Sequence, residues 1–180
     1  MFMNKNIFNK EKLLPLVLLF AVVLLDQVTK ILVVKYVPLH SIAASFFGDF
    51  LRIVYVANTG VAFSIGAGWG DFVRIVLFRI LPLVVLLVVM LFYFRADEIT
   101  SAQRWAVCGI VGGGFGNLID RFFRSSGVVD FIDVKFYGLF GYERWPTFNV
   151  ADAAVVVCGL ILVVSFLFFS KKKEDENDNR

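Results

Sequence analysis

The sequence predicts a mainly α-helical membrane protein, with four transmembrane helices and a small sheet lying against one membrane surface. Of its 180 residues, 59% are hydrophobic and 21 are phenylalanine. The mean hydropathy is +0.79, well above what the roughly half-apolar composition of soluble domains gives. The apolar residues gather in four long runs, at about 13–34, 72–94, 104–122 and 149–170. Between the first two, Leu51-Arg52-Ile53-Val54-Tyr55-Val56 reads as a strand, bounded by Gly48-Asp49 and Asn58-Thr59-Gly60.

Each run is long enough to cross a hydrocarbon core of about 30 Å as a helix. The first follows Lys5, Lys10 and Lys12 and so opens like a signal peptide. No small-x-small cleavage site follows it and three further spans do, so it is expected to stay as an anchor. The third run is the least hydrophobic. Its Gly109, Gly112, Gly113, Gly114 and Gly116 suit close backbone contact with neighbouring helices. Residues 123–148 carry Phe131, Phe136, Tyr137, Phe140, Tyr142 and Trp145, a composition that fits the interfacial belt. A single membrane domain over 13–170 is therefore expected, between an N-terminal tail (1–12) and a charged, disordered tail (171–180).

A net charge of +3, scattered along the chain, gives no reason to expect a nucleic-acid partner. The single histidine, His40, sits in a polar loop, and Cys108 and Cys158 each lie in an apolar run as small buried residues do. No HExxH-type arrangement exists, and a Ser-His or Cys-His hydrolase would rest on His40 alone. Neither a metal nor a cofactor is expected. With the N-terminus inside, Lys and Arg divide nine to nine between the two sides. Short flanks weigh most, and these are Lys5, Lys10 and Lys12 before the first span and Lys171, Lys172 and Lys173 after the last, so both ends are placed inside.

Polar residues beside apolar spans are costly unless paired or functional. Asp26 and Lys30 close the first span at the four-residue spacing of a helical ion pair. Asn117, Asp120 and Arg121 close the third on one helical face, Asn149 and Asp152 open the fourth, and Asp130 lies between, inside Val-Val-Asp-Phe-Ile. Counting crossings brings all of these to one membrane face, whichever way the chain is oriented. Each group alone has a plainer reading: helix-end ion pairs for Asp26–Lys30 and Asp120–Arg121, an N-cap for Asn149, a first-turn carboxylate for Asp152. Asp130 gains little from structure. Together, acids without a histidine or cysteine partner suggest carboxylate catalysis, in which one acid stays protonated while the other activates water. A helix N-terminus favours negative charge at Asp152, and apolar surroundings favour the neutral form of Asp130. The alternatives are a small transporter or proton pathway, or a non-catalytic assembly factor. Transporter sites usually lie near the midplane between repeated halves, and no internal repeat is visible here.

In order along the chain stand Asp26-Gln27-Val28-Thr29-Lys30, Asn58-Thr59-Gly60-Val61-Ala62-Phe63, Gly113-Gly114-Phe115-Gly116-Asn117-Leu118-Ile119-Asp120-Arg121, Val128-Val129-Asp130-Phe131 and Phe148-Asn149-Val150-Ala151-Asp152. These blocks resemble those of bacterial lipoprotein signal peptidase, or signal peptidase II, over all but the two tails. The resemblance implies an aspartic endopeptidase with four transmembrane helices, both termini cytoplasmic and a β-cradle at the outer face of the cytoplasmic membrane. It implies diacylglyceryl-modified prolipoproteins as substrates, cut on the N-terminal side of the lipidated lipobox cysteine. By motif position the catalytic pair falls on Asp130 and Asp152. Asn58, Gly60, Asn117, Asp120, Arg121 and Asn149 become supporting or substrate-binding, and Asp26 and Lys30 structural. Membrane lipid and substrate are the expected partners, with the enzyme a monomer. The segment between Asp133 and Phe148 is longer than is typical of that family.

Overall fold

A computed structural model describes residues 9–59 and 70–178, with side chains as far as residue 168. Among the described residues, four long helices and one sheet make up the fold. Helix α1 runs over Lys10–Tyr36 and α2 over Asp71–Arg95; α3 is Ser101–Phe123 and α4 is Val150–Asp178. Strands β1 (Ile42–Phe46), β2 (Leu51–Asn58) and β3 (Val128–Val134) form an antiparallel sheet in the order β1-β2-β3.

Among the described residues, α1, α2 and the Val150–Phe168 part of α4 are long and apolar enough to cross a bilayer. Their outward sides carry exposed Phe, Leu, Val and Ile, as lipid-facing surfaces do (Phe20, Leu24, Val85, Phe92, Leu160 and Phe168 are examples). Helix α3 is the least apolar of the four and the most enclosed: Gln103, Arg104, Cys108, Val111, Gly112, Gly113, Gly116 and Asp120 are all buried. It packs against α1, α2 and α4 at once. Its glycines make that possible. A Cβ on Gly112 would stand 2.8 Å from the Leu19 carbonyl of α1, and one on Gly113 would collide with the Ala151 carbonyl of α4. Small residues let helices meet at backbone distance where lipid offers no hydrophobic drive for association.

The far end of the bundle is tied by polar contacts. Buried Lys12 donates to the Phe94 carbonyl at 2.7 Å and pairs with Asp97 at 2.8 Å. The Tyr93 hydroxyl donates to the Lys12 carbonyl at 2.7 Å. Helix α3 starts with a reciprocal cap, in which Thr100 and Gln103 each bond the other's backbone N–H. Helix α2 is not regular throughout, because Val76–Ile80 forms one π-turn within it.

At the opposite end, the sheet packs its buried Val129, Phe131 and Tyr55 against Val33 and Val37 at the end of α1. The strand expected at 51–56 lies within β2, whereas β1 and β3 are additional. The Val-Val-Asp-Phe-Ile-Asp-Val of β3 is rich in the β-branched and aromatic residues that suit a buried strand. The chain enters β3 through Gly127 at φ +92°, where a Cβ would run into the Asn58 carbonyl. Residues 135–144 then fold back as a hairpin. Lys135 bridges Arg144, the Phe136 N–H donates to the Glu143 carbonyl at 2.8 Å, and a 3₁₀ turn covers Leu139–Gly141. Arg144 reaches back to Asp133 at 2.7 Å, and the Phe136 and Trp145 rings lie 4.9 Å apart.

Candidate active site

The site grows from a buried ionic group where α1, α3 and α4 meet beneath the sheet. Asp26, Lys30 and Asp120 are fully buried. Lys30 Nζ lies 2.8 Å from Asp26 and 2.9 Å from Asp120. Arg124 adds a second cation on Asp120 at 2.9 Å. Two carboxylates and two cations thus balance, which is the condition under which buried charge is tolerated. Asp120 is held by Lys30 and Arg124, not by its neighbour Arg121. The Arg121 guanidinium turns the other way, over the Phe78 ring at 5.5 Å, and donates to the Phe78 carbonyl at 3.2 Å.

Each carboxylate of this group also fixes a backbone element. Asp26 accepts the Ala151 N–H of α4 at 3.0 Å. Asp120 accepts the Val129 N–H of β3 at 3.2 Å. A Cβ on Gly116 would sit 2.7 Å from the Asp26 carboxylate, so that glycine clears its path. Gln27 spans the same group, donating to the Gly116 carbonyl at 2.9 Å and to both carboxylates at 3.2 and 3.3 Å. Gln27 and Arg124 were not among the residues singled out from the sequence. An amide one position after Asp26 within an apolar span was the available signal for Gln27.

From Lys30 the polar chain continues to both expected catalytic aspartates. Lys30 can only donate, so the Asn117 oxygen must face it, at 2.9 Å. That orients the Asn117 amide nitrogen toward Asp152, at 2.7 Å. Asn149 is oriented in the same way. Its oxygen accepts the Asp152 N–H at 2.9 Å, and the Asp152 carboxylate accepts the Asn149 N–H at 3.2 Å, a reciprocal cap at the start of α4. The Asn149 amide nitrogen is left to donate to Asp130 at 2.8 Å and to Asn117 at 3.0 Å. Asn58, at the end of β2, gives the other Asp130 oxygen a bond of 3.1 Å.

Strand β3 and the start of α4 are clamped together just above this network. The Phe131 and Ile132 N–H groups donate to the Phe148 carbonyl at 3.0 and 2.8 Å, and the Phe148 N–H returns to Ile132 at 3.0 Å. Asp130 and Asp152 then line one cavity of about 310 Å³ with Asn58, Asn117, Arg121 and Phe148. Asp130 is 3% exposed. Burial pushes its carboxyl up to about 7; nearby Asp152 adds to the rise, and the bonds from Asn58 and Asn149 oppose it. Below about pH 7 the Asp130 carboxyl is neutral and can donate a hydrogen bond, while Asp152 accepts from the Asn117 amide and the Asn149 N–H at the start of α4. Of the residues singled out from the sequence, Asp26, Lys30, Asn58, Asn117, Asp120, Asp130, Asn149 and Asp152 join one network, and Arg121 reaches the cavity from its side. Gly60 lies outside the described residues.

Comparison with known proteins finds one family over most of the chain. The family described as signal peptidase (SPase) II matches residues 18–168. A protein of Treponema pallidum named lipoprotein signal peptidase is 52% identical over 159 residues, 88% of this chain and 86% of that one. One of the same name from Treponema denticola is 50% identical over 171 residues, 95% of this chain and 98% of that one. A solved bacterial membrane enzyme superposes with a TM-score of 0.76 at 26% identity, over 89% of this chain and 91% of that one.

Proposed function

The chain belongs to the signal peptidase II family, the membrane proteases that free prolipoproteins of their signal peptides, and from that premise we propose that it works as an aspartic endopeptidase through Asp130 and Asp152. The observation that carries this reading is the set of three amides, Asn117 on Asp152 and Asn149 and Asn58 on Asp130, which holds the two carboxyls on one cavity in different environments.

Asp152, ionised, takes a proton from a water in the cavity, and that water attacks the scissile carbonyl carbon. Asp130, neutral, donates a hydrogen bond to the carbonyl oxygen as negative charge develops there. Collapse breaks the C–N bond, and the proton held on Asp152 passes to the departing amine. Proton transfer by a positioned group contributes about 10²–10⁴-fold. The buried ionic group beneath adds no chemistry. It fixes Asn117, and through Asn117 the donor facing Asp152.

Four helices are read as spanning, with α3 crossing inside a sleeve made by the other three. Residues 13–170 form the membrane domain, both termini are cytoplasmic, and the sheet and cavity lie at the outer face, with the protein a monomer. The substrate is a prolipoprotein with diacylglycerol on its lipobox cysteine, cut on the N-terminal side of that cysteine. Two acyl chains, at about 0.8 kcal/mol per buried CH₂, keep it at the interface and bring the peptide bond to the depth of the cavity.

The test is cleavage of a synthetic diacylglyceryl lipopeptide by purified protein. Asp130→Asn and Asp152→Asn are each expected to abolish turnover while the protein stays folded, and the unlipidated peptide to be cut far more slowly in the same micelles. Near-native turnover by either variant would overturn the assignment of the pair, and equal cleavage of both peptides would overturn the lipid requirement.

A further inference from the structure

A second cavity, of about 380 Å³, lies beside the first at the sheet end of the bundle and is bordered by four arginines: Arg74, Arg79, Arg121 and Arg124. Two of the four are already engaged: Arg124 pairs with Asp120 at 2.9 Å, and Arg121 shares the neighbouring cavity with Asp130 and Asp152. The charge left for a ligand is that of Arg79 and of Arg74, which lies 3.8 Å from an Asp71 that is 95% exposed. Among the described residues the Arg74 Nε is buried without a hydrogen-bond partner, although its Nη2 donates to the Thr59 carbonyl at 3.0 Å.

The π-turn at Val76–Ile80 falls within this wall. On a regular α-helix, residues five apart point about 140° from one another. The wider turn lets Arg74 and Arg79 border the same cavity, and π-turns of this kind are frequent at functional sites. Around the arginines, Phe72, Val73, Val76 and Ile80 are exposed apolar side chains of a helix apolar enough to span a membrane. A guanidinium offers paired N–H donors that match the oxygens of a phosphate. The apolar flank of α2 runs away from the arginines as acyl chains would.

We infer that this pocket binds the phosphate of an anionic membrane phospholipid, with the acyl chains lying along α2. A diacylglyceryl thioether carries no phosphate, so the arginines recognise a lipid other than the substrate's own anchor, and binding is measurable without turnover.

The full chain in neutral detergent would be titrated with phosphatidylglycerol or phosphatidylcholine, and retained lipid counted by native mass spectrometry. The wild type is expected to retain phosphatidylglycerol in preference, and Arg79→Gln to weaken that retention about five-fold while leaving phosphatidylcholine unchanged. Arg79 makes no ion pair among the described residues, so this variant should fold as the parent does; Arg74→Gln serves as the second variant. Equal retention of the two lipids by the wild type, or unchanged retention by both variants, would overturn the inference. Displacement of the lipid by millimolar inorganic phosphate would reassign the pocket to a soluble anion and overturn the lipid assignment.

Discussion

Asn58 offers a way to move the acid of the proposed pair without touching either carboxyl. Its amide donates to Asp130 at 3.1 Å and opposes the effect of burial on that carboxyl. A hydrogen bond to a charged acceptor is worth about 1.5–3 kcal/mol and a neutral one about 0.5–1.5. The ionised form of Asp130 therefore loses roughly 1.4 kcal/mol more than the neutral form when the amide is removed, which corresponds to about one pH unit. The proposed chemistry needs Asp130 protonated, so cleavage by the wild type should fall as pH rises through about 7. In Asn58→Ala the neutral form persists further, and the alkaline limb should move up to about pH 8. The assay is kcat/KM for the lipopeptide from mildly acidic to alkaline pH, with the two carboxyls titrating as a pair. An alkaline limb that stays in place or moves down would refute Asp130 as the acid, whatever happened to the maximal rate.

Three further outcomes follow from the buried groups. Lys30→Met leaves Asp26 and Asp120 with one cation between them and should cost about 3–5 kcal/mol, read as a lowered midpoint in thermal or denaturant unfolding. Gly116→Ala places a methyl 2.7 Å from the Asp26 carboxylate and 3.1 Å from the Ala151 Cβ; about 1–3 kcal/mol of overpacking should appear in the same measurement. Asp130 is raised from 3.8 to about 7, so between those values the folded chain holds a proton that the unfolded chain releases. Its contribution to stability is thus present in acid and lost as pH rises through that window, by about 1.4 kcal/mol per unit at most, and Asp130→Asn should abolish that slope in a pH series of unfolding curves.

What the sequence disclosed followed the range of the interactions involved. Asp26 and Lys30 were readable as a pair because four residues span one helical turn, and β2 because Ile-Val-Tyr-Val lies between turn residues. Strand β3 carries no such local signal, because its partner strand lies 70 residues or so earlier and Asp130 and Asp133 interrupt its apolar run. Asp120 has an arginine directly beside it in sequence, yet consecutive helical residues point about 100° apart, and its real partners are Lys30 and the next-turn Arg124. The convergence of polar residues on one end came from counting crossings alone. The amide orientations that connect Asn117, Asn149 and Asp130 depend on three elements meeting, and no local pattern encodes them.

The clamp between Phe148 and the Phe131–Ile132 backbone also sets what the protein can vary. It closes the chain below the hairpin of residues 135–144, so Asp130 and Asp152 are joined by a short circuit that does not pass through that hairpin. The loop above the clamp is therefore a replaceable module. Its length, aromatic content and charge can drift between species, or be exchanged by grafting, while the spacing of the carboxyls stays constant, so a new outer rim and an old mechanism can coexist in one chain.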